Sequence, residues 1–172
     1  MNPTRSPQGY STLQIALHWI IAALVVFQVI FGEDIVPAFR AYLKGTEPAA
    51  ADLSAANIHV YVGIAIFVLA VIRLAIRVTR GGPAAPAGES AAQKWIGIAT
   101  HVVLYGVILG MPISGGIAWY MGLGDVGEIH EIGKPVIIVF VALHTIGALY
   151  QHFVVKSDVL MRMLRSERSS AA

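Results

Sequence analysis

Six histidines, at positions 18, 59, 101, 130, 144 and 152, are the side chains of this sequence best suited to metal and proton chemistry. Two of them bracket the stretch HEIGKPVIIVFVALH, from His130 to His144, which holds few other polar side chains. They are fourteen residues apart (144 − 130 = 14). On an α-helix that spacing is an advance of about 21 Å and a rotation within roughly 40° of whole turns. Both imidazoles then point the same way, at two depths. Neutral imidazole binds iron, copper and zinc well. The chain has no cysteine, which excludes thiolate ligands, disulfides and iron–sulfur clusters and leaves histidine and carboxylate for metal chemistry.

The elements that must position these rings are set by composition. The 172 residues are 56% hydrophobic and 13% charged, with a mean hydropathy of +0.70. Soluble domains are about 25% charged, so the chain reads as a membrane protein of one domain. A net charge of +2 is too small to suggest nucleic acid. Four apolar segments approach the ~20 residues needed to cross a bilayer: roughly 13–31, 57–78, 95–120 and 128–155. Pro112 with Gly115 and Gly116 is expected to kink or end the third, and Pro135 to bend or restart the fourth. The fold class expected is an all-α four-transmembrane-helix bundle.

Charge sets the expected orientation. With the N-terminus inside, the cytoplasmic flanks hold Arg5, Arg73, Arg77, Arg80, Lys94, Lys156, Arg162, Arg165 and Arg168, and the outer side only Arg40, Lys44 and Lys134. That asymmetry obeys the positive-inside rule and puts both termini in the cytoplasm. The stretch TRGGPAAPAGES, Thr79–Ser90, reads as a flexible cytoplasmic linker.

Depth then sorts the histidines. Ionisable groups at membrane depth face the bundle interior and take partners. Helix one rises from the cytoplasm with His18 near its start, so His18 is on the inner side. Helices two and four descend, placing His59 and His130 outside and His144 deeper. The levels match as His18 with His144 and His59 with His130, each pair from two helices. Two imidazoles per level, with no carboxylate beside them, suit a bis-histidine haem b better than zinc or copper. Two such haems, stacked, make an electron path across the bilayer. His101 also lies on the inner half and is an alternative inner ligand, in place of His18 or His144.

Other residues have a bland role and a functional one. Arg73 is fourteen residues from His59 (73 − 59 = 14), so it shares that face and reaches the inner haem, as a propionate partner or a snorkelling cation. Lys134 has the same two roles at the outer haem. Arg77, His101 and His152 are placed to contact a quinone headgroup or pass protons to it, or simply to pack at the interface. No nucleophile or acid–base pair stands out, so catalytic residues beyond these are not assigned.

The stretches LQIALHWI, NIHVYVGI with VIRLAIR, THVVLYGVILGMPISG and VALHTIGALYQHF with VLMRMLR resemble the bacterial cytochrome b-561 family, small di-haem membrane cytochromes. The resemblance covers nearly the whole chain. It implies haem ligands at His18, His59, His130 and His144, in agreement with the depth pairing, and a multi-pass protein of the bacterial inner membrane that exchanges electrons with ubiquinone. For its superoxide-oxidising members it implies superoxide as the outer donor. Against that donor, the outer loops hold seven acidic side chains to three basic ones, a field that repels an anion at long range and could dock a basic soluble carrier. Two other classes compete: a cytochrome b subunit serving a dehydrogenase or soluble cytochrome, and a haem-free metal or proton transporter.

Overall fold

A computed structural model describes residues 9–84, 86 and 89–166. Arg5, Arg168 and the two chain ends, which entered the charge argument, lie outside them.

Four long helices dominate, each long and apolar enough to cross a membrane. α1 (Thr12–Phe31) opens on a capping box. The Ser11 hydroxyl accepts from the Gln14 amide at 3.3 Å, and the Gln14 side chain accepts from the Ser11 amide at 3.0 Å. A 3₁₀ turn (Gly32–Ile35) leads into the short α2 (Val36–Leu43), whose first turn holds Pro37. α3 (Ala50–Arg80) and α4 (Ala91–Met121) follow, and Ser90 with Gln93 builds a second capping box at the start of α4. Ser followed three residues later by Gln satisfies two otherwise orphan amides at each start. Gly122, left-handed at φ 65°, ends α4. Only Leu123 then separates it from α5 (Gly124–Phe153). So short a turn forces α4 and α5 into an antiparallel hairpin, and they share the most extensive packing, followed by α1 with α3 and α3 with α4.

α3 and α4 run further at both ends than the apolar segments suggest, because amide hydrogen bonding continues into their polar ends. α5 begins earlier, at Gly124, but stops at Phe153, short of 155. Pro112 does not end α4, and Pro135 does not restart α5; both lie inside continuous helices. Within a bilayer no water competes for the backbone, and neighbouring groups take over what proline frees. The Thr79–Ser90 linker is shorter than expected, since Thr79 and Arg80 belong to α3. It is also fastened: Gly81 accepts from Gln14 Nε2 at 3.3 Å and Ala84 from Arg162 Nη1 at 2.7 Å.

The buried core is small and sits at mid-height. Ile21 and Val25 of α1, Ile66 and Ala70 of α3, and Ile137 of α5 form one cluster. Ile137 is midway between His130 and His144 in sequence, so apolar side chains fill the level between the histidines. Large apolar residues such as Ile20, Val68, Val102, Ile138 and Ile146 are exposed along the outside of every long helix. In water that surface would be prohibitive, whereas lipid chains solvate it at no cost.

Candidate metal centres

At one end of the bundle, His59 of α3 faces His130 of α5, with ring centroids 6.0 Å apart and planes at 72°. At the other end, His18 of α1 faces His144 of α5, again at 6.0 Å, with planes at 63°. A metal–imidazole bond of roughly 2.0–2.1 Å, with the ring centroid about 1 Å behind the nitrogen, separates two opposed ligands' centroids by about 6 Å. Both pairs fit that span. His101 lies against His144 at 5.0 Å, nearly perpendicular, which is too close for two imidazoles on opposite faces of one iron. α1 and α5 are not among the closely packed helix pairs, so here the two helices meet through the His18 and His144 side chains.

The backbone determines which nitrogen of His130 is free. Its Nδ1 is 2.9 Å from the Met111 carbonyl. A carbonyl only accepts, so Nδ1 holds the proton and Nε2 keeps its lone pair for a metal. That is the arrangement in which a carbonyl orients a histidine ligand. Ser114, whose hydroxyl donates to the same carbonyl at 3.1 Å, steadies the acceptor. Gly115 makes room for the ring: a Cβ there would meet His130 Cε1 at 2.8 Å. Opposite, His59 Nδ1 is buried and has no hydrogen-bond partner. One facing pair of imidazoles at each level, with the tautomer of His130 fixed by a carbonyl, fits a bis-histidine haem iron.

A cavity of about 920 Å³ surrounds the His59–His130 pair. That is near the upper end of cofactor pockets, ≈ 300–1,000 Å³. Its lining is mostly apolar, and α2 forms one wall through Val36, Phe39 and Leu43. Phe39 stacks on Trp119 with centroids 6.3 Å apart, and Tyr42 meets the same indole edge-on at 4.9 Å. The charged lining comprises Arg40 and Lys134 against Glu33, Glu128 and Glu131. Lys134 forms an ion pair with Glu33, so the ammonium expected at a propionate here meets a carboxylate. Lys44 is exposed and is not part of the lining.

Near the His18–His144 level, the last described residues of the chain form a strap tied to α1. Trp19, edge-on to His18 at 5.2 Å, donates from Nε1 to the Met163 carbonyl at 2.8 Å. Arg162 joins this strap to the α3–α4 linker and pairs with Asp158 at 2.9 Å. Arg73 donates to the Gln14 carbonyl at 2.7 Å, and Arg77 to the Tyr10 hydroxyl at 3.2 Å. His101 Nδ1 donates to the Gly97 carbonyl at 2.7 Å, leaving Nε2 free. His152, in the last turn of α5, packs on Phe153 at 4.8 Å, with Nδ1 buried and unpartnered.

Sequence reasoning missed α2 and the C-terminal strap. The run VPAFRAYLKG did offer a signal, a proline at a helix start and a glycine just past its end. Met111 and Gly115 were missed as supports for His130 because a backbone carbonyl and an absent side chain leave no chemical mark.

Comparison with known proteins identifies a family. The family model described as prokaryotic cytochrome b561 matches residues 9–166. A cytochrome b562 of Cereibacter sphaeroides is 35% identical, over 94% of this chain and 98% of the relative. A probable superoxide oxidase, CybB, of Yersinia pestis is 28% identical over 92% of this chain and 97% of its own length. A cytochrome b561 homolog 2 of Escherichia coli is 26% identical over 98% of each chain. With the paired imidazoles, the apolar helices and a match over nearly its whole length, this chain belongs to the prokaryotic cytochrome b561 family of multi-pass, haem b-binding membrane electron-transfer proteins.

Proposed function

We propose that the chain transfers electrons between a donor at the His59–His130 face and the membrane quinone pool, with two b haems held by His59/His130 and His18/His144. The observation that carries this reading is the repeat of one 6.0 Å imidazole–imidazole span at both ends of α5. Haem iron supplies reversible one-electron chemistry when bound. The protein's part is to fix each ring, exclude water and choose the partners at each end. His130 holds its proton on Met111 and offers Nε2 to the metal. Ile21, Val25, Ile66, Ala70 and Ile137 keep the level between the pairs dry. Without cysteine the haems are bound non-covalently.

Orientation follows from the charge asymmetry: the His18–His144 end faces the cytoplasm and the His59–His130 end faces outward, in the bacterial inner membrane. Arg73, Arg77, His101 and His152 all belong to the inner end, where protons for quinol formation are available. There Arg73 serves the inner haem's propionate, and Arg77, His101 or His152 contacts the quinone headgroup.

The specific reaction we infer is superoxide:ubiquinone oxidoreduction, supported by similarity to the Yersinia pestis protein named probable superoxide oxidase. Two superoxide anions each lose one electron and leave as dioxygen, while one quinone gains two electrons and two protons. Purified protein with ubiquinone, supplied with enzymatically generated superoxide, should form quinol beyond the uncatalysed rate, and abolition by His59→Ala would tie it to the outer pair. Quinol formation equal with and without protein would remove superoxide as donor. A specific observation favours a second donor class: three of the five charged groups lining the outer cavity are carboxylates, which suits a basic soluble electron carrier.

A further inference from the structure

The two imidazoles of the outer pair are supported differently. His130 donates Nδ1–H directly to the Met111 carbonyl. His59 has no such acceptor, although its Nδ1 is buried. A polar side chain in the last turn of the apolar α1 reaches the same residue: Gln28. Its Nε2 donates across the helix interface to the His59 carbonyl at 2.9 Å. That bond fixes the amide's orientation and leaves Oε1 buried without a partner. His59 Nδ1 and Gln28 Oε1 are thus two buried, unpartnered atoms on residues joined by one hydrogen bond, and both residues line the cavity. Buried polar atoms are almost always satisfied, and an apolar helix gains nothing from a glutamine that is only half used.

Gly32, which caps the end of α1, is four residues beyond Gln28 and so follows it on the same side of the chain. A Cβ at Gly32 would sit 3.6 Å from His59 Nδ1 and 3.5 Å from Cε1. The Gly32 backbone therefore lies against the imidazole edge that carries Nδ1. One ordered water between the two side chains would accept from Nδ1–H and donate to Gln28 Oε1, satisfying both.

We propose that Gln28 is the positioning residue of His59, taking its Nδ1 proton through one bridging water so that Nε2 faces the iron, as Met111 does directly for His130. This rests on the reading of His59 as a haem ligand. Loss of such an outer partner typically weakens metal binding 10–100-fold. It also makes the imidazole a poorer electron donor to the iron, which raises the reduction potential. A carboxylate in place of the amide does the opposite.

The test is a redox and electron-paramagnetic-resonance titration of the purified haem-loaded protein and of Q28L, Q28E and G32A. Q28L should retain the inner haem unchanged, raise the outer haem's potential and weaken its retention 10–100-fold. Q28E should lower that potential and shift the outer haem's ferric g-values in the opposite sense to Q28L. G32A introduces only an ordinary contact but fills the water's space, and should shift the potential as Q28L does. Outer-haem potential and g-values unmoved in both Gln28 variants would overturn the proposal, as would two shifts of the same sign. A G32A protein identical to wild type would overturn the bridging water and with it the proposal. A wild type with fewer than two haems would fail earlier, at the ligand assignment itself, so the two failures are distinguishable.

Discussion

His130 of α5 donates its Nδ1 proton to the main chain of α4, at Met111, across 2.9 Å. One turn on, Gly115 leaves the space in which the ring lies. The α4–α5 hairpin, whose packing is the most extensive in the bundle, therefore builds half of the outer site before α1 and α3 are considered.

Gly115→Val puts that relationship at risk. Any Cβ at position 115 would lie 2.8 Å from His130 Cε1 and 2.9 Å from Nδ1, so the ring must leave the carbonyl. The variant should insert in the membrane with about half the wild-type haem, which haem extraction against protein concentration measures. Full haem content would show that His130 does not need this position.

Haem should also act as a folding ligand. The buried core is limited to a small mid-height cluster, and lipid provides little hydrophobic drive between helices. A ligand bound at 1,000 times its Kd adds about 4 kcal/mol. Protein made in haem-deficient cells should unfold at a clearly lower temperature, and added hemin should restore it. Equal melting curves would contradict a structural role for haem.

How much of this was legible in the sequence depends on what leaves a chemical mark. The four long helices were, because an apolar run of twenty residues has one outcome in a bilayer. So were the levels of His18, His59, His130 and His144, since helical rise converts position into depth. The site's walls were not. α2 is only eight residues long, and its place depends on Phe39 and Tyr42 finding Trp119. The ion pair of Lys134 was not legible either, because its partner, Glu33, is 101 residues away in sequence. The role of Arg162 depends on the strap folding back to Ala84, which no local pattern encodes.

The donor can be tested by the sign of a salt effect. If superoxide is the substrate, Arg40 and Lys134 in the cavity lining, with Lys44 nearby in sequence, steer it. Reduction should slow as ionic strength rises, because the Debye length falls from about 30 Å at 0.01 M to about 10 Å at 0.1 M. Neutralising Arg40 or Lys134 should slow it further at low salt. A rate that rises with salt would mean the carboxylates Glu33, Glu128 and Glu131 dominate, and would favour a cationic protein donor.

The quinone end makes a separate prediction. Arg77→Ala, His101→Ala or His152→Ala should slow quinone reduction while leaving both haems bound, with at least one variant raising the apparent KM for quinone severalfold. Steady-state kinetics over quinone concentration measures this. Three variants with unchanged kinetics, or a quinone bound beside His59, would move the site away from the inner end.

The most direct test of the two-centre account is haem stoichiometry across single histidine variants. Wild type should hold two b haems per chain. His59→Ala and His130→Ala should each lose the same haem, His18→Ala and His144→Ala the other, and His101→Ala neither, as followed by absorption and redox titration. A wild type with one haem or none, or a His18→Ala protein that retains both while His101→Ala loses one, would contradict it.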